Sequence, residues 1–307
     1  MRWKKLGLVW APKGDQAWAS SHAAIPTPLR MEDGGLRVYC SCLDAQGRGL
    51  PTWVDLDPSD PTKVLRDAGG PLLGLGKPGT FDDNGLLVTS VVRTGPRAYH
   101  LYYAGFETCT KVRYRIFTGL AISHDGGDSF RRHGDCAVMD RSEDEVYFRC
   151  GAFVANEGSR FKAWYIAGSE WTRVEGKDLP VYEMRTMESP DGIHWPDQGE
   201  LSMRLSKQDE HGFGRPWVQQ APDGHSRLFY SIRKRSVAGY RLGYAESIDG
   251  MQWDRKDDQL GLDISPGSFD GNAIMYSAVL ESGGKTYCFY NGNDFGRQGF
   301  GVAVLEG

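Results

Sequence analysis

Ser123-His124-Asp125-Gly126-Gly127-Asp128-Ser129-Phe130 reads as a tight turn between two strands, and shorter versions of it recur. Ser189-Pro190-Asp191-Gly192-Ile193-His194-Trp195 and Ser247-Ile248-Asp249-Gly250-Met251-Gln252-Trp253 keep the serine, the Asp-Gly pair and a closing aromatic. The aspartates lie 66 and 58 residues apart, and each follows a strand-like run at 119–123, 182–189 or 240–247. Asp-Gly between two such runs signals a hairpin: glycine takes positive φ and aspartate accepts hydrogen bonds from the turn amides. Asp125, Asp191 and Asp249 are therefore expected to shape turns, with Phe130, Trp195 and Trp253 anchoring them to the sheet.

Working outward, each hairpin is the end of a longer unit. Aromatic-rich strands precede the turns at Leu36–Asp44, Tyr99–Glu107, Arg160–Trp171, Arg227–Arg235 and Lys285–Asn293. A mostly apolar strand led by polar residues stands before each of those, at His22–Leu29, Phe81–Val92, Tyr147–Ala155, Phe213–Ala221 and Ala273–Leu280. Each unit reads strand, strand, strand, turn, strand. The first unit lacks the Asp-Gly-aromatic turn, and its third strand is expected at Pro51–Asp57. The stretches 58–61 and 69–79 read as loops. Five four-stranded units at this period spell an all-β, five-bladed β-propeller with antiparallel blades, a design in which radial repetition protects the sheet edges.

The fifth unit stops after Gly299–Leu305 without a fourth strand. The N-terminus supplies one: Trp3-Lys-Lys-Leu-Gly7 places an aromatic four residues before glycine, as do Phe130–Gly134 and Trp195–Gly199. Residues 1–10 are expected to close blade 5, making residues 1–307 one domain.

The composition agrees. Forty glycines and 12% aromatic residues suit short strands and tight turns, and no long 3.6-residue periodicity argues for helix. A formal charge of −4 offers no electrostatic case for nucleic acid. The apolar run Leu6–Ala11 is too short for a secretory signal, and no stretch reaches a membrane span. Six cysteines without a CxxC pair read as free thiols of a cytoplasmic protein. No nucleotide or zinc-protease motif occurs, so no cofactor is expected. A structural ion such as calcium, held by carboxylates and carbonyls in a central channel, is left open.

With FDDNG at Phe81–Gly85, GLAISHDGG at Gly119–Gly127, GRPWV at Gly214–Val218 and YNGNDFGRQGFG at Tyr290–Gly301, the chain resembles a five-bladed glycoside hydrolase-like superfamily. That superfamily includes arabinanases, xylosidases, invertases, levansucrases and mannoside phosphorylases, and the resemblance covers essentially the whole chain. It implies that ligands bind in a central funnel where the innermost strands begin. It is specific for fold and much less so for chemistry.

Residues at those entrances are the candidates: His22; Asp82 and Asp83; Glu143, Asp144, Glu145 and Arg149; Asp209, Glu210, His211 and Arg215; Asp270, Asn272 and Tyr276. Glycoside cleavage needs two carboxyl groups flanking the bond, one protonating the leaving oxygen and one attacking or activating water. Asp83, Glu145 and Asp270 are the expected catalytic set. Asp82 and Glu210 are close rivals, and His22, Arg149, Arg215 and Tyr276 are expected to contact substrate. Solvated turn-capping carboxylates are the competing explanation for each.

One departure matters. Hydrolases of this superfamily carry an early aspartate in blade 1, whereas here the segment is Ser20-Ser21-His22-Ala23-Ala24. His22 could serve as a base or sugar contact, or be a hydrogen-bonded structural histidine. Arginines at 149, 215, 233, 235 and 297 suggest phosphate or carboxylate unless they pair with the entrance acids. The first expectation is a carbohydrate-active enzyme cleaving or transferring a glycosyl group by carboxylate acid/base chemistry. The alternatives are a phosphorylase or transferase using a phosphorylated sugar, and a non-catalytic sugar-binding ring.

Overall fold

The computed structural model describes residues 1–206, 208–221 and 223–306. Nearly all regular structure is strand. Helix among the described residues is one 3₁₀ turn at Asp257–Gln259 and one short turn at Asn293–Gly296.

Antiparallel pairing divides the strands into sets of four. Strand β1 (Trp3–Trp10) comes first. One set is β2 (Ser21–Arg30), β3 (Leu36–Leu43), β4 (Gly49–Asp57) and β5 (Asp60–Asp67). The next is β6 (Leu86–Gly95), β7 (Ala98–Thr108), β8 (Tyr114–Ser123) and β9 (Arg131–Arg132). Then come β10 (Phe148–Asn156), β11 (Phe161–Val174), β12 (Lys177–Ser189) and β13 (Glu200–Met203). They are followed by β14 (Glu210–Gln220), β15 (Ser226–Lys234), β16 (Tyr240–Ser247) and β17 (Asp254–Arg255). The last strands are β18 (Met275–Ser282), β19 (Lys285–Asn291) and β20 (Phe300–Leu305). β1 completes that final set by pairing with β20, Trp3 opposite Leu305 and Trp10 opposite Phe300. The expected contribution of the N-terminus is thus present.

By hydrogen bonding these strands make three sheets rather than five. Short parallel contacts, β8 with β10 and β12 with β14, fuse three sets into one twelve-stranded sheet. Local boundaries also shift. The segment 58–61, read above as a loop, is a two-residue turn after which β5 begins at Asp60. Trp195–Gly199 precedes β13 instead of opening it. Residues 81–84 form a turn, and β6 starts at Leu86.

The Asp-Gly turns interlock neighbouring sets. Tyr39 Oη and Arg37 donate to the Gly127 carbonyl, Tyr102 Oη to Gly192, and Trp164 Nε1 to Gly250. Asp191 accepts from the amides of Ile193 and His194, and Asp249 from those of Met251 and Gln252. The His194 ring, 2.7 Å from Asp191, and the amide bonds at both sites hold the two carboxyls below the usual aspartate range. Gly192 is required twice over: its φ is +72°, and a Cβ there would lie 2.6 Å from Tyr102 Oη.

The first strand of every set carries a bulge at the same place. Register breaks occur between Ala24 and Thr27, Val88 and Ser90, Cys150 and Phe153, Gly214 and Trp217, and Met275 and Ala278. A bulge leaves a residue unpaired and turns it out of the ladder. The residues released here, Ile25, Thr89, Gly151, Arg215 and Tyr276, all line one cavity.

Candidate functional site

That cavity has a volume of about 630 Å³. Its floor is Arg215, which is 2% exposed. The guanidinium donates to the carbonyls of Thr89, Pro26, Tyr276 and Ser277 and to Thr27 Oγ1, at 3.0–3.5 Å. Its Cα lies 3.8 Å from where a Gly151 Cβ would sit. The first strands of all five sets therefore meet at Arg215. Burial lowers its pKa to about 9, which still leaves it charged at neutral pH. All its donors serve the fold, so Arg215 braces the strands and supplies positive potential rather than a free fork. Among the described residues, no cluster of three or more His, Cys, Asp or Glu side chains is arranged to hold a metal.

The walls are aromatic and cationic. Tyr240 packs 5.6 Å from Tyr276 and 6.1 Å from Phe295, with Tyr182 and Phe213 alongside. Such faces suit the apolar side of a sugar ring. Phe295 is set by the 293–296 turn, where Asp294 and Phe295 have φ of 52° and 59°. Non-glycine residues adopt that region at a cost, which commonly accompanies functional sites.

Besides Arg215, the lining contains Arg113, Lys177, Arg233, Lys234 and Arg235, and a single carboxylate, Glu175. Among the described residues, none of these six cations has a carboxylate within 4.0 Å, unlike Arg37, Arg149 and Arg255 elsewhere in the fold. Arg233 is the best prepared. Its Nε donates to Tyr240 Oη at 2.6 Å, and its guanidinium lies over the Tyr182 and Tyr240 rings at 5.3 and 4.8 Å. Its two terminal nitrogens have no protein partner among the described residues. Arg235 reaches across to Thr172 Oγ1, 3.0 Å away, on the long β11–β12 hairpin whose tip overhangs the cavity.

The expected catalytic carboxylates lie elsewhere. Asp83 accepts from the Gly79 amide at 2.8 Å and caps the turn before β6. Glu145 is 2% exposed, takes both oxygens to Tyr165 Oη at 2.7 Å, accepts from the Gly199 amide, and pairs with Arg149 Nε at 2.7 Å. Asp270 is fully buried against Lys5 and Tyr290 Oη. None of the three lines the cavity.

The rivals behave alike. Asp82 binds Tyr103 Oη at 3.0 Å and Arg132 Nε at 2.8 Å, and Glu210 takes a two-pronged pair from Arg255 at 2.7 and 2.6 Å. Arg149 spends its remaining donors on the carbonyls of Asp140 and Pro196. The recurrence of acids at four entrances thus marks a repeated structural cluster: a buried carboxylate, a cation, and in three of the four a tyrosine from the second strand. Burial and the neighbouring acid push the phenols of Tyr103, Tyr165 and Tyr290 up, keeping them donors. Phe81 stacks on Tyr103 and Phe269 on Tyr290, at 5.9 and 5.7 Å, so Phe-Asp at 81–82 and 269–270 is one packing unit used twice.

Of the other expected contacts, His22 and Tyr276 do line the cavity. His22 Nδ1 lies 2.8 Å from Ser21 Oγ, and the Asp294 carbonyl accepts from its ring. Burial and the Arg297 charge lower its pKa. Arg233 and His211, named above among the arginines and the entrance residues but not in the expected contact set, also line the cavity. Both flank the β14–β15 ladder at the end where β14 begins.

The fold defines the class: an all-β protein whose architecture is similar to that of solved glycoside hydrolase structures. The chain belongs to the family of Uncharacterized protein Rv1502 of Mycobacterium tuberculosis (strain H37Rv), to which it is 34% identical over 306 residues, covering all of both chains. No protein-family model matches the sequence. Among solved structures it is similar to a glycoside hydrolase (TM-score 0.74, 18% identity, 98% of this chain and 90% of that one). It is equally similar to BT0996 in its complex with RGII (TM-score 0.73, 18% identity, the same coverage). A third likeness is to a structure from the GH130 family of mannoside phosphorylases, which contains glycoside hydrolases that target β-1,2 mannosidic linkages in Candida mannan. There the TM-score is 0.68 at 13% identity, covering 100% of this chain and 90% of that one. At these identities the likeness is one of fold.

Proposed function

We propose that the protein is a carbohydrate-active protein whose cavity takes a sugar bearing a phosphate or carboxylate. The observation that carries this reading is the lining itself: six cations without carboxylate partners against one acid, Glu175. A half-buried guanidinium fork held by two tyrosines is preorganised for a planar or tetrahedral oxyanion, so little ordering cost remains to be met on binding. The tyrosine and phenylalanine faces would cover the ring of the sugar.

The five antiparallel sets and their five matching bulges support counting five blades in one domain over residues 1–307, with Arg215 on the axis. Six unpaired cysteines fit a cytoplasmic location. The reading moves the chemistry away from Asp83, Glu145 and Asp270, since among the described residues no two carboxylates line the cavity as glycoside cleavage by an acid/base pair requires. Transfer to or from a phosphorylated sugar is therefore favoured over hydrolysis. The scarcity of acids also favours a second reading, a ring that binds the sugar without acting on it.

Calorimetric titration with glucose 6-phosphate, inorganic phosphate and glucose tests the proposal. The two anions should bind, glucose should not, and Arg233→Gln should weaken the anions about tenfold or more, the loss expected for one charged hydrogen-bonded pair. Binding should also fall with added salt. Equal binding of glucose and glucose 6-phosphate, or indifference to Arg233→Gln, would refute it.

A further inference from the structure

Beside the cavity of Arg233 lies a second one, of about 670 Å³. The two share a wall made of Phe295 and the turn at 237–239. The rest of the second lining is apolar at Ile264 and Met275 and polar at Asn272, Asn293 and Asp294.

One short segment of sequence builds the wall. Asn293-Asp294-Phe295-Gly296 follows β19 and turns back at once. Asn293 Oδ1 accepts from the amides of Asn272 and Ala273, at 2.8 and 3.0 Å, and its own amide donates to the Phe269 carbonyl at 2.8 Å. Just before the turn, Asn291 accepts from the Ile25 amide at 2.7 Å and donates to the carbonyls of Ala23 and Gly299. Two asparagines and backbone groups thus tie the turn down, and the Phe295 ring is not needed for that anchoring.

The ring is 48% exposed, and no other phenylalanine among the described residues is exposed. Leaving an apolar face in water forgoes the stabilisation that burial brings. Asp294 and Phe295, two consecutive non-glycine residues at positive φ, add backbone strain to hold it there. Set on the divider between two cavities, the ring is a platform for a flat apolar partner, and the CH-rich face of a sugar is one.

Charge distinguishes the two sides. The first cavity is lined by cations with Glu175 as its one acid. In the second the cation is Arg241, whose Nη1 donates to the carbonyls of Tyr240 and Asn272. Asp294 and the Asn272 amide, both exposed, have no hydrogen-bond or ion-pair partner among the described residues. A carboxylate and an amide suit hydroxyl groups, and the carboxylate disfavours a second anion.

We propose that the second cavity binds a neutral sugar ring joined to the anionic one, with that ring stacked on Phe295 and its hydroxyls bonded to Asn272 and Asp294. This rests on the reading of the first cavity as an anionic-sugar site. It extends the ligand class from a charged monosaccharide to a charged disaccharide or longer chain. The spacing fits: the Arg233 guanidinium lies 4.8 Å from the Tyr240 ring, which lies 6.1 Å from the Phe295 ring. Fork and platform are one aromatic ring apart, within the reach of two linked sugars.

Calorimetric titration of the full chain with glucose 6-phosphate, trehalose 6-phosphate and sucrose 6-phosphate tests this. The readout is the ratio of disaccharide to monosaccharide affinity. At least one of the two disaccharide phosphates should bind about tenfold tighter than glucose 6-phosphate, the gain expected for one stacked ring and one added hydrogen bond. Phe295→Leu and Asn272→Ala should each lower that ratio by about threefold or more. Phe295→Tyr keeps the flat face and should preserve it. Arg233→Gln should weaken all three sugars and leave the ratio unchanged. Loss of folded protein lowers the three titrations alike, so it does not imitate a change in the ratio.

A ratio near one in the native protein, with glucose 6-phosphate still bound through Arg233, would overturn the subsite and leave the anionic reading intact. A ratio indifferent to both Phe295→Leu and Asn272→Ala would do the same. No binding of any of the three phosphorylated sugars would remove the anionic reading, and this proposal with it.

Discussion

Glu145→Gln separates a catalytic carboxylate from a structural one. Glu145 is 2% exposed and touches Tyr165, the Gly199 amide and Arg149, with Arg185 3.6 Å away. Glutamine is nearly isosteric, but it is uncharged and turns one acceptor oxygen into an NH₂ donor facing Tyr165 Oη or the Arg149 guanidinium. Breaking a buried pair in this way costs about 3–5 kcal/mol, because it strands a buried charge. For a chain of 307 residues that unfolds in one step, this corresponds to a fall in Tm of roughly 5–8 °C. The assay is thermal unfolding by circular dichroism beside calorimetric titration with inorganic phosphate. The expected result is a lowered Tm with phosphate affinity unchanged in the folded protein. An unchanged Tm together with lost binding would refute the assignment of Glu145 to the framework and return it to the site.

Other outcomes follow from the same geometry. Arg215→Lys keeps the charge but loses the fork that reaches three neighbouring strands, and should destabilise by about 2 kcal/mol in urea unfolding. Removing residues 2–10 exposes the β20 edge and leaves Asp270 without Lys5; unfolding should begin in that set, seen as early loss of amide protection in β19 and β20. His22, His100 and His211 all have pKa values lowered by burial, so the unfolded chain binds protons more readily than the folded one below pH 6.5. Stability should therefore decline as pH falls from 6.5 towards about 4, and His211→Gln should flatten that decline in pH-dependent denaturation curves.

The repeat was readable because its signals are local. Ser123–Phe130, Ser189–Trp195 and Ser247–Trp253 each encode a turn within eight residues, through a glycine φ and an aspartate that bonds amides two to four positions on. The closing strand was readable too, since Trp3–Gly7 carries the same spacing as Phe130–Gly134. What the spacing did not reveal is the bulge in every first strand. A bulge depends on how two strands meet, and neither strand's residue pattern records it.

The site was less legible for a different physical reason. Composition and position show that Asp82, Glu145, Glu210 and Asp270 recur with the repeat, and a recurring acid is what both a catalytic funnel and a repeated buried ion cluster would produce. Whether a carboxylate is free depends on cations far along the chain: Arg132 lies 50 residues from Asp82, Arg255 lies 45 from Glu210, and Lys5 lies 265 from Asp270. The sequence by itself determined the alternation, the turns and therefore the all-β repeat. Only the tertiary structure decided which charges cancel. It neutralised the acids inside the sheets and left the cations of β15 and the overhanging hairpin unopposed, because ion pairing falls off over a few ångströms and only folding brings such groups together.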